Sequence, residues 1–150
     1  MNNQIIIADS TCLIGLERIG QLDILPQLFD SIFIPPEVAK EFGISLSWLK
    51  IKSISDQGLT LSLKMLVDDG EAEAITLAYE TKIKVILDDQ QARKVAKKMK
   101  VTFIGTIGIL IQAKQKGIID QIKPLLDDLE NNGFYLSYNL KQEALIIAGE

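Results

Sequence analysis

Histidine does not occur anywhere in the 150 residues. Its absence excludes Ser-His-Asp triads, Cys-His dyads, histidine-ligated zinc and imidazole acid-base catalysis. There is one cysteine, Cys12, so no internal disulfide can form, and its apolar neighbours make it a small buried side chain rather than a nucleophile. Aromatic residues are few, 6% of the chain, which leaves little with which to stack bases. No apolar run approaches the roughly 18 residues that span a bilayer, and the first residues lack the basic-then-apolar order of a signal peptide. The expectation is a cytoplasmic chain with no membrane partner. Positive charge is not in excess either: 20 acidic against 16 basic residues give a net charge of -4. A protein of this balance does not hold nucleic acid by bulk electrostatics. Carboxylates, lysines and hydroxyls are what remain for chemistry.

Apolar residues are plentiful, at 47%, and 150 residues are the length of one ordinary domain, so residues 1–150 read as a single unit with a sizeable core. Ile5-Ile6-Ile7-Ala8 is an unbroken apolar run, as in a parallel strand covered on both faces, and Asp9-Ser10-Thr11 follows as a helix N-cap signal. Ile32-Phe33-Ile34 is a second such strand. Pro35-Pro36 closes it and opens a helix to about Phe42 that contains Glu41. Leu49 and Ile51 alternate with Lys50 and Lys52, the pattern of a half-exposed strand between Trp48 and Ile54. Leu59, Leu63 and Leu66 mark a helix after Gly58, and Asp68-Asp69-Gly70 caps another from Glu71 to about Glu80. Val85-Ile86-Leu87 is a buried strand that stops at Asp88-Asp89. Then come a helix over Gln90 to Lys98, a strand over Val101 to Ile104, and a helix from Gly105 to its break at Gly117. The tail predicts a helix near Gln121 to Asn131, a short Phe134-Tyr135-Leu136 extension, and a last helix after Asn139 with Gln142 as capping-box partner. Strands alternating with helices predict a three-layer α/β fold, its mostly parallel central sheet flanked by helices. Ligands in such folds sit beyond the carboxyl ends of the strands.

That rule gathers the acidic residues. Asp9 ends one strand and Asp88-Asp89 end another, so in a parallel sheet all three lie at one edge, although each could simply cap its helix. Glu71 falls in line with Ala74, Ile75 and Ala78, a stripe expected to face the sheet, where a carboxylate needs a partner. Glu73 shares its side with Thr76, Leu77 and Glu80 and reads as solvated. Glu41 lies at a helix end where negative charge opposes the dipole, with Glu37 rather than a base four residues earlier. Carboxylates crowded together repel unless a cation neutralises them. Oxygen ligands without Cys or His favour Mg²⁺ or Mn²⁺, and such ions activate water and stabilise a scissile phosphate. Metal and polyanionic substrate would thus enter an acidic pocket together.

The chain resembles the PIN-domain nucleases, a family shared by many toxin ribonucleases of toxin-antitoxin pairs. The resemblance covers nearly the whole length and rests on IIIADSTCLIGL, IPPEVAKEF, DDGEAEAITLA, VILDDQQARKVAKKM and FIGTIGIL in that order, while KPLLDDLENNGFYLS is similar to a poorly characterised branch. The resemblance implies a metal-dependent endoribonuclease with Asp9, Glu41, Glu71 and Asp89 as its catalytic acids and Asp88 beside them as a further metal ligand. Ser10, next to the first acid, is implied as a substrate contact. Many toxin members carry Asp where this chain has Glu71. An RNA substrate, an antitoxin protein and a homodimer are implied in the same way. Arg93, Lys97 and Lys100, with Lys94 and Lys98 alongside, could track RNA phosphates, with Arg93 the candidate nearest the acids, but a solvated charged face explains them equally well.

Three rival readings follow from the same residues. A catalytically silent PIN scaffold would bind RNA or a protein partner, but it gains nothing from crowded negative charge. A phosphotransfer domain would use a strand-end Asp as nucleophile, yet no clear lysine partner accompanies one. A structural dimer would leave the acidic pocket as a by-product of helix capping.

Overall fold

Successive side chains of a strand point to opposite faces, so an unbroken isoleucine run must feed two cores at once. In the computed structural model, which describes residues 4–150, β1 (Ile5–Ile7) does this at the centre of the sheet. Ile6 joins one apolar cluster and Ile7 the other. β2 (Ser31–Ile34), β3 (Leu49–Ile51), β4 (Val85–Ile86) and β5 (Phe103–Ile104) complete a five-stranded sheet of order β3-β2-β1-β4-β5. Every pairing is parallel, so the strand ends that carry chemistry share one edge.

One face is covered by α1 (Ser10–Arg18), α2 (Ile24–Leu28), α7 (Thr106–Gln115), α8 (Lys123–Asn131) and α9 (Tyr138–Ile147). The other is covered by α4 (Gln57–Leu63), α5 (Asp69–Thr81) and α6 (Gln90–Lys98). The short α3 (Pro36–Phe42) turns Val38 and Phe42 into the first cluster and packs against both α1 and α5. Its Pro at the first turn needs no N–H partner, and Gly43 ends it at φ 74°, a left-handed conformation that costs glycine little. Among the described residues no helix is long and apolar enough to cross a membrane.

Several differences from the sequence reading trace to α5. A helix packed only on a sheet has a wet side, and Thr76 and Leu77 were expected on it with Glu73. Here α5 is flanked by α3, α4 and α6, and both are fully buried. The hydroxyl of Thr76 donates to the Ala72 carbonyl and accepts from Thr60 at 2.9 Å, as a buried polar group must be bonded. Glu73 is half-buried and accepts the Glu37 N–H at 2.9 Å, capping α3, while Glu80 accepts the N–H groups of Ser55 and Asp56.

The third strand is three residues long, and of its two alternating apolar residues only Leu49 is buried, with Ile51 left at the sheet edge. The strand after α6 is confined to Phe103–Ile104, and Phe134-Tyr135-Leu136 forms no strand. The last helix starts earlier than predicted, because Ser137 is its cap, accepting the Leu140 N–H at 3.2 Å in place of the Asn139 and Gln142 pair. Cys12 is fully buried and burial pushes its thiol well above the usual range, as expected of an inert side chain.

Candidate active site

Asp9 leaves the end of β1 in an extended conformation and caps α1, its Oδ1 accepting the Ser10 N–H at 2.8 Å. Only 3% of the residue is exposed. Burial raises its carboxyl pKa to about 8, the Ser10 N–H opposes that, and the charges of Glu71, Asp68 and Glu41 raise it further. The neighbouring charges that act on it are thus all negative.

Glu71 comes from the first turn of α5. Its N–H bonds the Asp68 side chain at 2.8 Å and its Oε1 accepts the Asp68 N–H at 3.1 Å, a reciprocal capping box that fixes both carboxylates. Burial raises the Glu71 pKa to about 7, and the charges of Asp68 and Asp89 add to the effect. Asp68, taken from the sequence only as a cap, is therefore a member of the acidic group, acting on Asp9, Glu41 and Glu71 alike. Its cue in the sequence is the DxxE spacing of the box, which reads as local chemistry alone.

Glu41 arrives from the end of α3 and accepts a hydrogen bond from the Ser10 hydroxyl at 3.2 Å. Its pKa is raised by partial desolvation and then by Asp68, Glu37 and Asp69. A methyl group at Gly70 would collide with the Glu41 carboxylate. Glycine there lets α3 bring a carboxylate against the N-terminus of α5, where the helix dipole favours it. The sequence reading took Gly70 merely for part of a cap.

The pair at the end of β4 divides its duties. Asp89 caps α6 by accepting the Ala92 N–H at 2.9 Å, and its charge reaches Glu71. Asp88 instead binds Thr106, accepting its N–H at 2.8 Å and its hydroxyl at 2.6 Å, which joins β4 to the start of α7. Burial raises the Asp88 pKa against those two bonds and the nearby Arg93. Arg93, a candidate phosphate ligand in the sequence, is half-buried and turned back on the fold. Its Nε donates to the Leu87 carbonyl at 2.7 Å and its guanidinium lies over the Phe103 ring, 5.3 Å from the centroid. Gly105 makes room for it, since a Cβ there would meet the guanidinium and Asp88. Lys94, Lys97, Lys98 and Lys100 are solvated.

Thr106 is fully buried, and replacing it by valine is expected to strand one Asp88 oxygen at a cost of about 1–3 kcal/mol, read by urea denaturation. A serine substitution, which keeps the hydroxyl, should recover most of that loss.

An open cleft of about 570 Å³ begins at Asp68, Glu71, Asp88 and Asp89 and continues between α1 and the segment after α8. Among the described residues, none of these acids or Asp9 or Glu41 is in an ion pair. Nor do any three His, Cys, Asp or Glu side chains there stand close enough together to hold one ion as arranged. Each carboxylate is turned toward a local N–H or hydroxyl donor. The donor set is nonetheless all oxygen, one member is deeply buried, and the surrounding charges are negative, which is the chemistry that a hard divalent cation matches.

Comparison with known proteins agrees with this architecture. No curated protein matches the chain. A solved PilT N-terminus domain protein from the hyperthermophilic archaeon Sulfolobus solfataricus shares its fold at 16% identity, with a TM-score of 0.52 over 73% of this chain and 93% of that one. A family model described as a PIN domain matches residues 5–150. PIN domains constitute a nuclease superfamily whose members typically use divalent metals. Matched over almost its entire length, this chain belongs to the PIN-domain family.

Proposed function

We propose that the protein is a divalent-metal-dependent endoribonuclease that hydrolyses phosphodiester bonds in RNA. The observation that carries this reading is Asp9, a buried carboxylate at a strand end on which every neighbouring charge that acts is negative, while Glu71 and Asp68, two of the acids acting on it, line an open cleft. Asp9, Glu71 and Asp89 would hold Mg²⁺ or Mn²⁺, with Glu41 and Asp68 adding negative charge and Asp88 bracing the strand end. A bound cation would supply Lewis-acid activation of water and neutralise charge on the scissile phosphate. Ser10 orients Glu41 through its hydroxyl, and the capping box keeps Glu71 from swinging away. The resemblance to toxin ribonucleases supports a further proposal, that the protein is the toxin of a toxin-antitoxin pair, working as a homodimer with an antitoxin partner.

Incubation of mixed single-stranded and structured RNA with the purified protein and Mn²⁺ tests the reading. Cleavage is expected, and both EDTA and Glu71→Gln should abolish it, because glutamine preserves the capping box while removing the charge. Tight Mn²⁺ binding without cleavage would favour the silent scaffold. No binding of Mn²⁺ by calorimetry would overturn the carboxylate site altogether.

A further inference from the structure

Thr11, Ile14, Gly15 and Arg18 line the cleft at i, i+3, i+4 and i+7, so one face of α1 forms its floor. That floor runs about 10 Å from the acidic end to Arg18. Phe134 and Tyr135, from the segment after α8, line the same cleft. A Cβ at Gly15 would lie 3.3 Å from the Phe134 ring, so glycine lets that ring pack closely on α1. The segment is fixed further by the Phe134 N–H, which donates to the Leu129 carbonyl at 2.9 Å, and by Gly133 at φ 90°. Tyr135, next in sequence to this anchored ring, is 84% exposed at the cleft. Arg18 is also exposed. One guanidinium nitrogen donates to the Asn132 carbonyl at 3.2 Å, which steadies the group and leaves further N–H donors available.

We infer that this cleft is the path of an unpaired RNA strand, with one base stacked on Tyr135 and a phosphate beside Arg18 while the scissile phosphate lies at the carboxylates. The inference rests on the ribonuclease reading for the nature of the polymer. An exposed aromatic ring binds a base through its π face, which is accessible only when the base is out of a duplex. A fork of N–H donors on a fixed guanidinium suits phosphate oxygens. The chain lacks the basic excess with which duplex binders grip two backbones, so a single strand held by stacking and one arginine is the substrate form it fits. Pockets of 300–1,000 Å³ take small ligands, and a cleft of this volume suits a nucleotide or two rather than a folded helix.

Binding is best measured on an Asp9→Asn background, so that RNA is not consumed, using fluorescence anisotropy with a labelled short oligo(A) and with a fully paired RNA hairpin. The oligo(A) should bind more tightly than the hairpin. Tyr135→Ala should weaken it about tenfold or more, and Tyr135→Phe should restore it. Arg18→Gln should reduce the slope of log affinity against log salt by about one. Equal binding of oligo(A) and hairpin, unchanged affinity in Tyr135→Ala, or no binding by any variant overturns the strand path. Tyr135-dependent binding of RNA that the otherwise unaltered protein never cuts would sink the ribonuclease reading and leave the strand path standing. Cleavage whose KM ignores Tyr135→Ala would do the reverse.

Discussion

Substituting Asp9 by asparagine is expected to lower Mn²⁺-dependent RNA cleavage by about a thousandfold or more while stabilising the EDTA-treated protein at pH 8. The two effects have one cause. Asp9 has almost no contact with solvent and its neighbours are acids, so its negative charge is costly unless a cation is present. Asparagine still accepts the Ser10 N–H as an N-cap, and the start of α1 should survive. It cannot supply the charge that holds a hard cation, and losing several kcal/mol of electrostatic stabilisation corresponds to about a thousandfold in rate. Because the folded pKa is raised to about 8, the native state binds more protons than the unfolded chain between ordinary carboxylate values near 4 and that point. Stability of the metal-free protein should therefore fall as pH rises through this window, at up to about 1.4 kcal/mol per unit from this group, with the full loss reached above pH 8. Glu71, raised to about 7, acts in the same direction over a narrower range. In Asp9→Asn the decline should flatten, and Tm at pH 8 should rise by on the order of 5 °C. Mn²⁺ competes with protons for the same oxygens, so its stabilising effect should grow with pH in the native sequence and vanish in the variant. A Tm in EDTA that is lower in Asp9→Asn than in the native protein at pH 8 would refute the electrostatic account.

The second large effect is expected from Gly70→Ala, a change that ordinarily strengthens a helix by roughly 0.5–1 kcal/mol. Here the added methyl group would overlap the Glu41 carboxylate, so α3 must shift or Glu41 must swing away from Ser10. We expect cleavage to fall about 10- to 100-fold, since misplacement of a positioning group by about 1 Å can cost that much. Thermal stability should change by no more than about 1 kcal/mol, because the helix gain offsets the local clash. Gly70→Ala with unaltered activity would mean that the approach of Glu41 to α5 is of no consequence to catalysis.

Local signals made much of this fold legible in the sequence. The Ile5-Ile6-Ile7 run, the Pro35-Pro36 stop, the glycine breaks and the Asp caps each act over a few residues, and the elements they imply are the ones observed. That Asp9, Asp88 and Asp89 leave one edge of the sheet was legible as well, since parallel strands end at one edge; that β1 and β4 are neighbours only the structure shows. Misreadings arose where a residue's surroundings come from distant chain. Glu73 and Glu80 look solvated on an isolated helix, yet they receive N–H groups from α3 and from the loop before α4. The contacts of Arg93 with the Leu87 carbonyl and the Phe103 ring were likewise beyond what its basic helix could show.

By itself the sequence determined the chemistry that is possible: no imidazole, no disulfide, and strand-end carboxylates of the kind that call for a hard cation. Periodicity and capping also determined which segments become strands and helices, because those preferences are satisfied by neighbours within a turn or two. Only the tertiary structure decided that Asp68 joins the acidic group, that Asp88 turns to Thr106 while Asp89 caps α6 with its charge still reaching Glu71, and that Gly70 admits Glu41. It alone brought Tyr135 and Arg18 to one cleft, from segments more than a hundred residues apart. Which way a carboxylate turns depends on donors and charges supplied by other elements, and no pattern within a single segment encodes them.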